Sequence, residues 1–144
     1  MPVCQVSLAT GAAHFAAMRK FYLAALAPVG YVTFSDQADR LGLMTAGNLP
    51  DFWLHVGNGE QTAFPAGGDV QARPGRTQVS FDGESPDVVD KYYAAAIKAG
   101  GVCNGKPGFR EAFSKPYYAA FVLDPLGNNI EVVHYPEPVA ALVS

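Results

Sequence analysis

Two polarity patterns follow one another along this chain, and the pair occurs twice. From Val3 to Ala9 the residues alternate. Val3, Gln5 and Ser7 share one face of an expected strand, and Cys4, Val6 and Leu8 share the other. Helical spacing then takes over: Phe15, Met18, Tyr22 and Ala25 recur on one side, with Thr10 the expected N-cap and Ala27-Pro28 and Gly30 the stop. Gly30 to Ser35 and Arg40 to Thr45 read as a strand pair, and Asp51 to Val56 as a fourth strand.

A stretch rich in Gly, Pro, Asn and Gln, Gly57 to Gly75, interrupts the pattern. The same order then begins again. Arg76 to Asp82 alternates, with Gln78 and Ser80 on one face and Val79 and Phe81 on the other. Ser85-Pro86-Asp87 is a helix start: a cap residue, proline at the first helical position, then an acid in the first turn. Val88, Val89, Tyr92, Tyr93, Ala96 and Ile97 supply the apolar stripe, and Gly100-Gly101 ends it. A short strand near Val102 and a loop from Asn104 to Pro116 follow. Tyr117 to Leu123 and Asn128 to Tyr135 form a hairpin across Asp124-Pro125-Leu126-Gly127.

The halves also echo each other in sequence. Gln5-Val6-Ser7 returns as Gln78-Val79-Ser80, and the Phe21-Tyr22 helix segment as Tyr92-Tyr93, at offsets of 73 and 71 residues. Each half is strand, helix, strand, strand, strand. The expected fold is therefore α+β: paired βαβββ modules forming a curved, cup-shaped mixed sheet with helices outside. The expected boundaries are a first module over about 1–57, a linker over 58–75, a second module over 76–136 and a tail over 137–144. Val6, Leu8, Val79, Phe81, Ile130 and Val132 face the helices, while Gln5, Ser7, Gln78, Ser80 and Glu131 line the hollow.

Composition narrows the partners. The chain has 144 residues, 49% of them hydrophobic and 16% charged, and a formal net charge of −3. That balance gives no electrostatic footprint for nucleic acid or an anionic membrane. No apolar run reaches the length of a membrane span, and no basic-then-apolar leader begins the sequence, so the expected location is cytoplasmic. The expected partner is a small molecule. Two cysteines make no disulfide framework; Cys4 is expected buried and inert, and Cys103 stays open between buried and exposed.

The run Tyr117 to Val133, with its aromatic strand, Asp-Pro-x-Gly-Asn turn and Ile130-Glu131, resembles the vicinal oxygen chelate superfamily. That superfamily includes glyoxalase I, bleomycin-resistance proteins, fosfomycin-resistance enzymes and extradiol dioxygenases. Phe21-Tyr22 followed by Gly30-Tyr31 adds a weaker match, and the resemblance covers nearly the whole chain. It implies paired βαβββ modules, a homodimer, and metal ligands on the first and last strands of the modules. Gln5 lies where such proteins have His or Gln, Gln78 where they usually have His, and Glu131 where they have Glu. The fourth position, Glu in glyoxalase I, falls on Trp53, with His55 two residues along the same strand face.

Gln78 and Trp53 depart from that ligand pattern. Two amides and one carboxylate make a weak site for Zn²⁺, Ni²⁺, Mn²⁺ or Mg²⁺, which His55 would strengthen if it turned inward. The alternative is a metal-free floor in which the amides bond each other, Glu131 or water. Glu131 is the expected proton-transfer residue. Trp53, His55, Ser7, Ser80, Tyr117 and Arg110 are expected ligand contacts. Arg110 is grouped with Lys106, Glu111 and Lys115 in a loop that reads either as a lid or as a solvated surface. Only one of Tyr117 and Tyr118 can face the hollow. His14 reads as a surface residue and His134 as structural.

The resemblance implies a glyoxalase-like lyase or isomerase acting on a small carbonyl-type substrate. Its alternative is a metal-free binding protein of the bleomycin-resistance type, favoured by the missing histidines and by Trp53. A metal-independent proton-transfer enzyme stays open as a third reading. Dioxygenase chemistry, which needs two His and a carboxylate, is disfavoured.

Overall fold

A computed structural model of the protein describes residues 3–57, 77–112 and 115–136, with the backbone alone at 112 and 115. The expected linker and C-terminal tail lie outside these residues. The element order is β1 (Val6–Thr10), α1 (Phe15–Leu26), β2 (Tyr31–Gln37), β3 (Arg40–Thr45), β4 (Phe52–Val56), β5 (Gln78–Asp82), α2 (Pro86–Lys98), β6 (Val102–Ala112), β7 (Lys115–Leu123) and β8 (Asn129–His134). The fold is α+β, built from two βαβββ modules, each with its own four-stranded mixed sheet. The strand orders are β1-β4-β3-β2 and β5-β8-β7-β6, so β1 and β5 occupy equivalent edges. In each module the first strand runs parallel to the last and the remaining pairs are antiparallel.

Each helix forms because its apolar stripe has a sheet to cover. Phe15, Met18, Tyr22 and Ala25 are buried as their spacing predicts, joined by Phe21 and Leu26. On α2 the burial narrows to Val89, Tyr92 and Ala96, and Ile97 is 37% exposed. Ser85 caps α2, its hydroxyl accepting the Val88 amide at 3.3 Å. Gly30 and Gly100 follow the helical segments at φ of 102° and 100°, a conformation that only glycine adopts without strain. No described helix is long and apolar enough to cross a membrane.

The modules share one core. Phe81 of β5 meets Tyr31 and Phe52 of the first module edge-on at 5.5 and 5.4 Å, and α1 touches α2. The strongest polar tie between them is Asp124, in the turn after β7. Its carboxylate is 3% exposed and accepts four hydrogen bonds: Tyr22 hydroxyl (2.6 Å), Leu126 amide (2.9 Å), Asn128 amide (2.9 Å) and Asn128 side chain (2.8 Å). The Asp-Pro-x-Gly-Asn sequence therefore closes a turn and pins it to α1 of the other module.

Three expectations are corrected. Residues 104–112 are strand, and the expected loop is part of a long β6–β7 hairpin with register shifts near Gly105 and Gly108. Its glycines and proline imitate a loop because they serve these bulges. Thr10 is the last residue of β1, not a helix cap. Its hydroxyl donates to the Gly11 carbonyl, while a single 3₁₀ turn leads into α1 with no side-chain cap. Cys4 is exposed, because the β1 ladder begins only at Val6; Cys103 is exposed as well.

Candidate functional site

Each sheet has one face against the helices and one open face, and alternation places the polar residues on the open face. In the first module, the registers Ser7↔Trp53, Arg40↔His55 and Gly42↔Trp53 set Ser7, Trp53, His55 and Arg40 side by side on three neighbouring strands. Ser7 Oγ and His55 Nδ1 share a hydrogen bond of 2.5 Å. With Gln5 these residues line a hollow of about 320 Å³. The six-membered ring of the Trp53 indole lies over Gly42: a β-carbon there would stand 2.5–2.8 Å from three of its atoms. Phe34 meets the same indole edge-on at 6.0 Å. The indole N–H is buried and has no partner among the described residues, a cost of roughly 1–3 kcal/mol.

The open face of the second module carries Gln78, Ser80 and Glu131. Ser80 lies beside Glu131 in the β5–β8 register and donates its hydroxyl to Glu131 Oε2. Glu131 is 8% exposed and has Phe121 as its neighbour on β7. Gln78 Oε1 accepts from Asn129 at 3.4 Å, and Asn129 accepts from Asn104 at 3.1 Å. Tyr117 packs against Tyr135 with ring centroids 5.5 Å apart. Burial, then the Glu131 charge, raises the Tyr135 phenol above its usual value. Tyr118 turns the other way and donates to Asp90 of α2, so Tyr117 is the tyrosine on the open face. Arg110 is on the strand rather than in a lid. Its guanidinium sits 5.9 Å from the Phe121 ring centroid and donates to the Lys106 carbonyl. His134 is held by the Gly83 carbonyl at 2.9 Å, a structural position.

The sequence places Gln5, Gln78 and Glu131 at one shared floor. No hydrogen bond joins Gln5 to Gln78 or Glu131 among the described residues. What the two edges share is a second hollow of about 230 Å³, where Cys4, Gln5 and Val6 face Val79, Ser80 and Phe81. The residues that sequence reasoning missed are Arg40, Gly42, Phe34, Asn129 and Phe121. Arg40 and Gly42 alternate at the start of an expected strand, and the β3–β4 register would have put them beside His55 and Trp53.

A divalent metal fits these donors poorly. Gln5 and Gln78 offer amide oxygens, and the Gln78 oxygen already accepts from Asn129. Glu131 is the single carboxylate and is engaged by Ser80. No group of three or more His, Cys, Asp or Glu side chains placed to hold an ion occurs among the described residues. His55 has Nδ1 committed to Ser7 and a guanidinium as its register neighbour, which opposes a cation beside it.

Neither a protein-family model nor a curated protein matches the sequence. Solved structures do match. A glyoxalase/bleomycin resistance protein from Albidiferax ferrireducens is 23% identical with a TM-score of 0.69, over 94% of this chain and 100% of that one. A glyoxalase/bleomycin resistance protein/dioxygenase family enzyme from Burkholderia phytofirmans is 22% identical with a TM-score of 0.62, over 92% and 97%. A glyoxalase-related enzyme from Fulvimarina pelagi is 19% identical with a TM-score of 0.65, over 93% and 88%. With its paired βαβββ modules, the chain has the vicinal oxygen chelate fold of the glyoxalase/bleomycin resistance/dioxygenase proteins.

Proposed function

We propose that the protein binds a small, flat organic molecule on the open face of its first sheet, in the metal-free manner of a bleomycin-resistance-type binding protein. The observation that carries this reading is the Trp53 indole. It rests over Gly42, is braced by Phe34, and forms one wall of a hollow whose other walls are polar. An aromatic wall with a few converging polar groups is the usual composition of a small-ligand site. Fold alone does not fix chemistry, so the reading rests on this site.

Trp53 is the single tryptophan, so its emission reports the site directly. Titration with a panel of planar aromatic compounds is expected to give a saturable change for at least one class. Trp53→Leu should weaken binding of that class by roughly 0.5–1.5 kcal/mol, the worth of an aromatic pair. Flat emission across the panel would remove the basis for the reading.

One observation favours a second reading, a lyase or isomerase acting on a carbonyl-type substrate. Glu131 is a largely buried carboxylate on an open sheet face, held in place by Ser80. A carboxylate so fixed is suited to taking a proton from a carbon next to a carbonyl. Hemithioacetal turnover that persists in Glu131→Gln would exclude this role.

A further inference from the structure

Among the described residues, the hollow of the first module is lined by groups able to donate hydrogen bonds (Arg40, Gln5, His55 and Ser7) beside the Trp53 ring, whose own N–H is buried. Arg40 brings a guanidinium, Trp53 an indole ring, His55 the ring nitrogen left free by Ser7, and Gln5 an amide. No carboxylate lines it among the described residues. The other arginines with described partners are already engaged: Arg19 pairs with Asp36, and Arg110 folds back onto Lys106 and Phe121. Arg40 has no ion-pair partner among the described residues, and it stands across from His55 at the start of β3. A guanidinium presents a planar fork that matches a carboxylate in two parallel hydrogen bonds.

From this donor set we infer that the hollow is a subsite for an organic carboxylate, with Arg40 as the group that selects the charge. This deepens the binding reading above and rests on it. Trp53 supplies the wall for the flat part of the molecule, while Arg40, seconded by His55 and Gln5, takes the acid. A hollow of about 320 Å³ is at the small end of ligand sites. The class is therefore an aromatic acid of one or two rings rather than an extended polycycle. Neither part involves Glu131, so the subsite is independent of proton transfer in the second module.

The test compares 2-naphthoate with its neutral near-isostere 2-naphthamide by calorimetric titration, on the wild-type chain and on Arg40→Gln. Wild type is expected to prefer the acid by about tenfold or more, since hydrogen bonds to a charged group are the stronger kind. Arg40→Gln should reduce that ratio to about twofold or less. A thermal melt matching wild type shows that the variant is folded, and Arg40→Lys, which keeps the charge but loses the fork, should fall between the two. Equal binding of acid and amide by wild type overturns the carboxylate subsite and leaves the Trp53 reading standing. An acid preference that survives Arg40→Gln overturns the role of Arg40. Binding of neither compound overturns the subsite, and a flat emission panel would then take the Trp53 reading with it.

Discussion

Replacing Asp124 with alanine should do more damage to this fold than any other single side-chain truncation outside the apolar core. The carboxylate is 3% exposed and accepts four hydrogen bonds, so its loss orphans donors in both modules at once. Tyr22 is fully buried and its hydroxyl has no route to water, so that donor alone costs roughly 1–3 kcal/mol when unpaired. The amides of Leu126 and Asn128 are partly buried and recover some of their loss through solvent. With one fully buried and three partly buried donors left unpaired at up to roughly 1–3 kcal/mol each, part of it recovered by solvent, the sum is about 3–5 kcal/mol. In a domain of this size that corresponds to a fall in Tm of roughly 6–20 °C. Tyr22→Phe removes one charged hydrogen bond and should cost roughly 1.5–3 kcal/mol. Urea unfolding followed by circular dichroism on wild type, both single variants and the double variant gives the coupling, expected at about 1 kcal/mol or more. A loss of less than about 1 kcal/mol for Asp124→Ala, or additivity of the two substitutions, would refute a buried network centred on Asp124.

Gly42→Ala puts a methyl group 2.5–2.8 Å from the Trp53 ring, so the indole must move. A stability loss of about 1–3 kcal/mol and altered tryptophan emission are expected, and unchanged emission would contradict the stacking geometry. Ser85→Ala removes the α2 cap and should cost about 1 kcal/mol in the same unfolding assay. Burial first, and then the nearby Asp124 charge, raises the Tyr22 and Tyr92 phenols far above the ordinary value. The unfolded chain releases those protons near pH 10. Their contribution to stability is therefore complete below about pH 10 and lost as pH climbs beyond it. Tyrosinate absorbance should show a late rise coincident with alkaline unfolding. A single smooth titration of all seven tyrosines in the folded chain would refute this.

Much of the fold was legible because its signals are local. Strand alternation at Gln78-Val79-Ser80-Phe81 and helical spacing at Phe15, Met18, Tyr22 and Ala25 depend on near neighbours, and the duplication repeated them. The β6 strand was hidden because Gly105, Pro107 and Gly108 occupy its bulges, where loop chemistry and strand geometry use the same residues. Thr10 looked like a cap because cap chemistry also suits a strand end. At the site, alternation was enough to put Ser7, Trp53 and His55 on one face. It could not pair Arg40 with His55 or Gly42 with Trp53, since register across strands is a tertiary property. Nor could it show that Ser80 donates to Glu131 or that Asn129 donates to Gln78, since both hydrogen bonds cross between strands.

On the proposed reading, a flat acid is held on the open face of the first sheet, against Trp53. The most direct measurement is a heteronuclear NMR titration of the ¹⁵N-labelled chain with 2-naphthoate, because one tryptophan gives one indole N–H signal. That signal and the amides of β1, β3 and β4 are expected to shift together and saturate at one affinity, with α1 and α2 unmoved. Saturating shifts that fall on the helices, or on β5 to β8 with the indole signal fixed, would contradict the account.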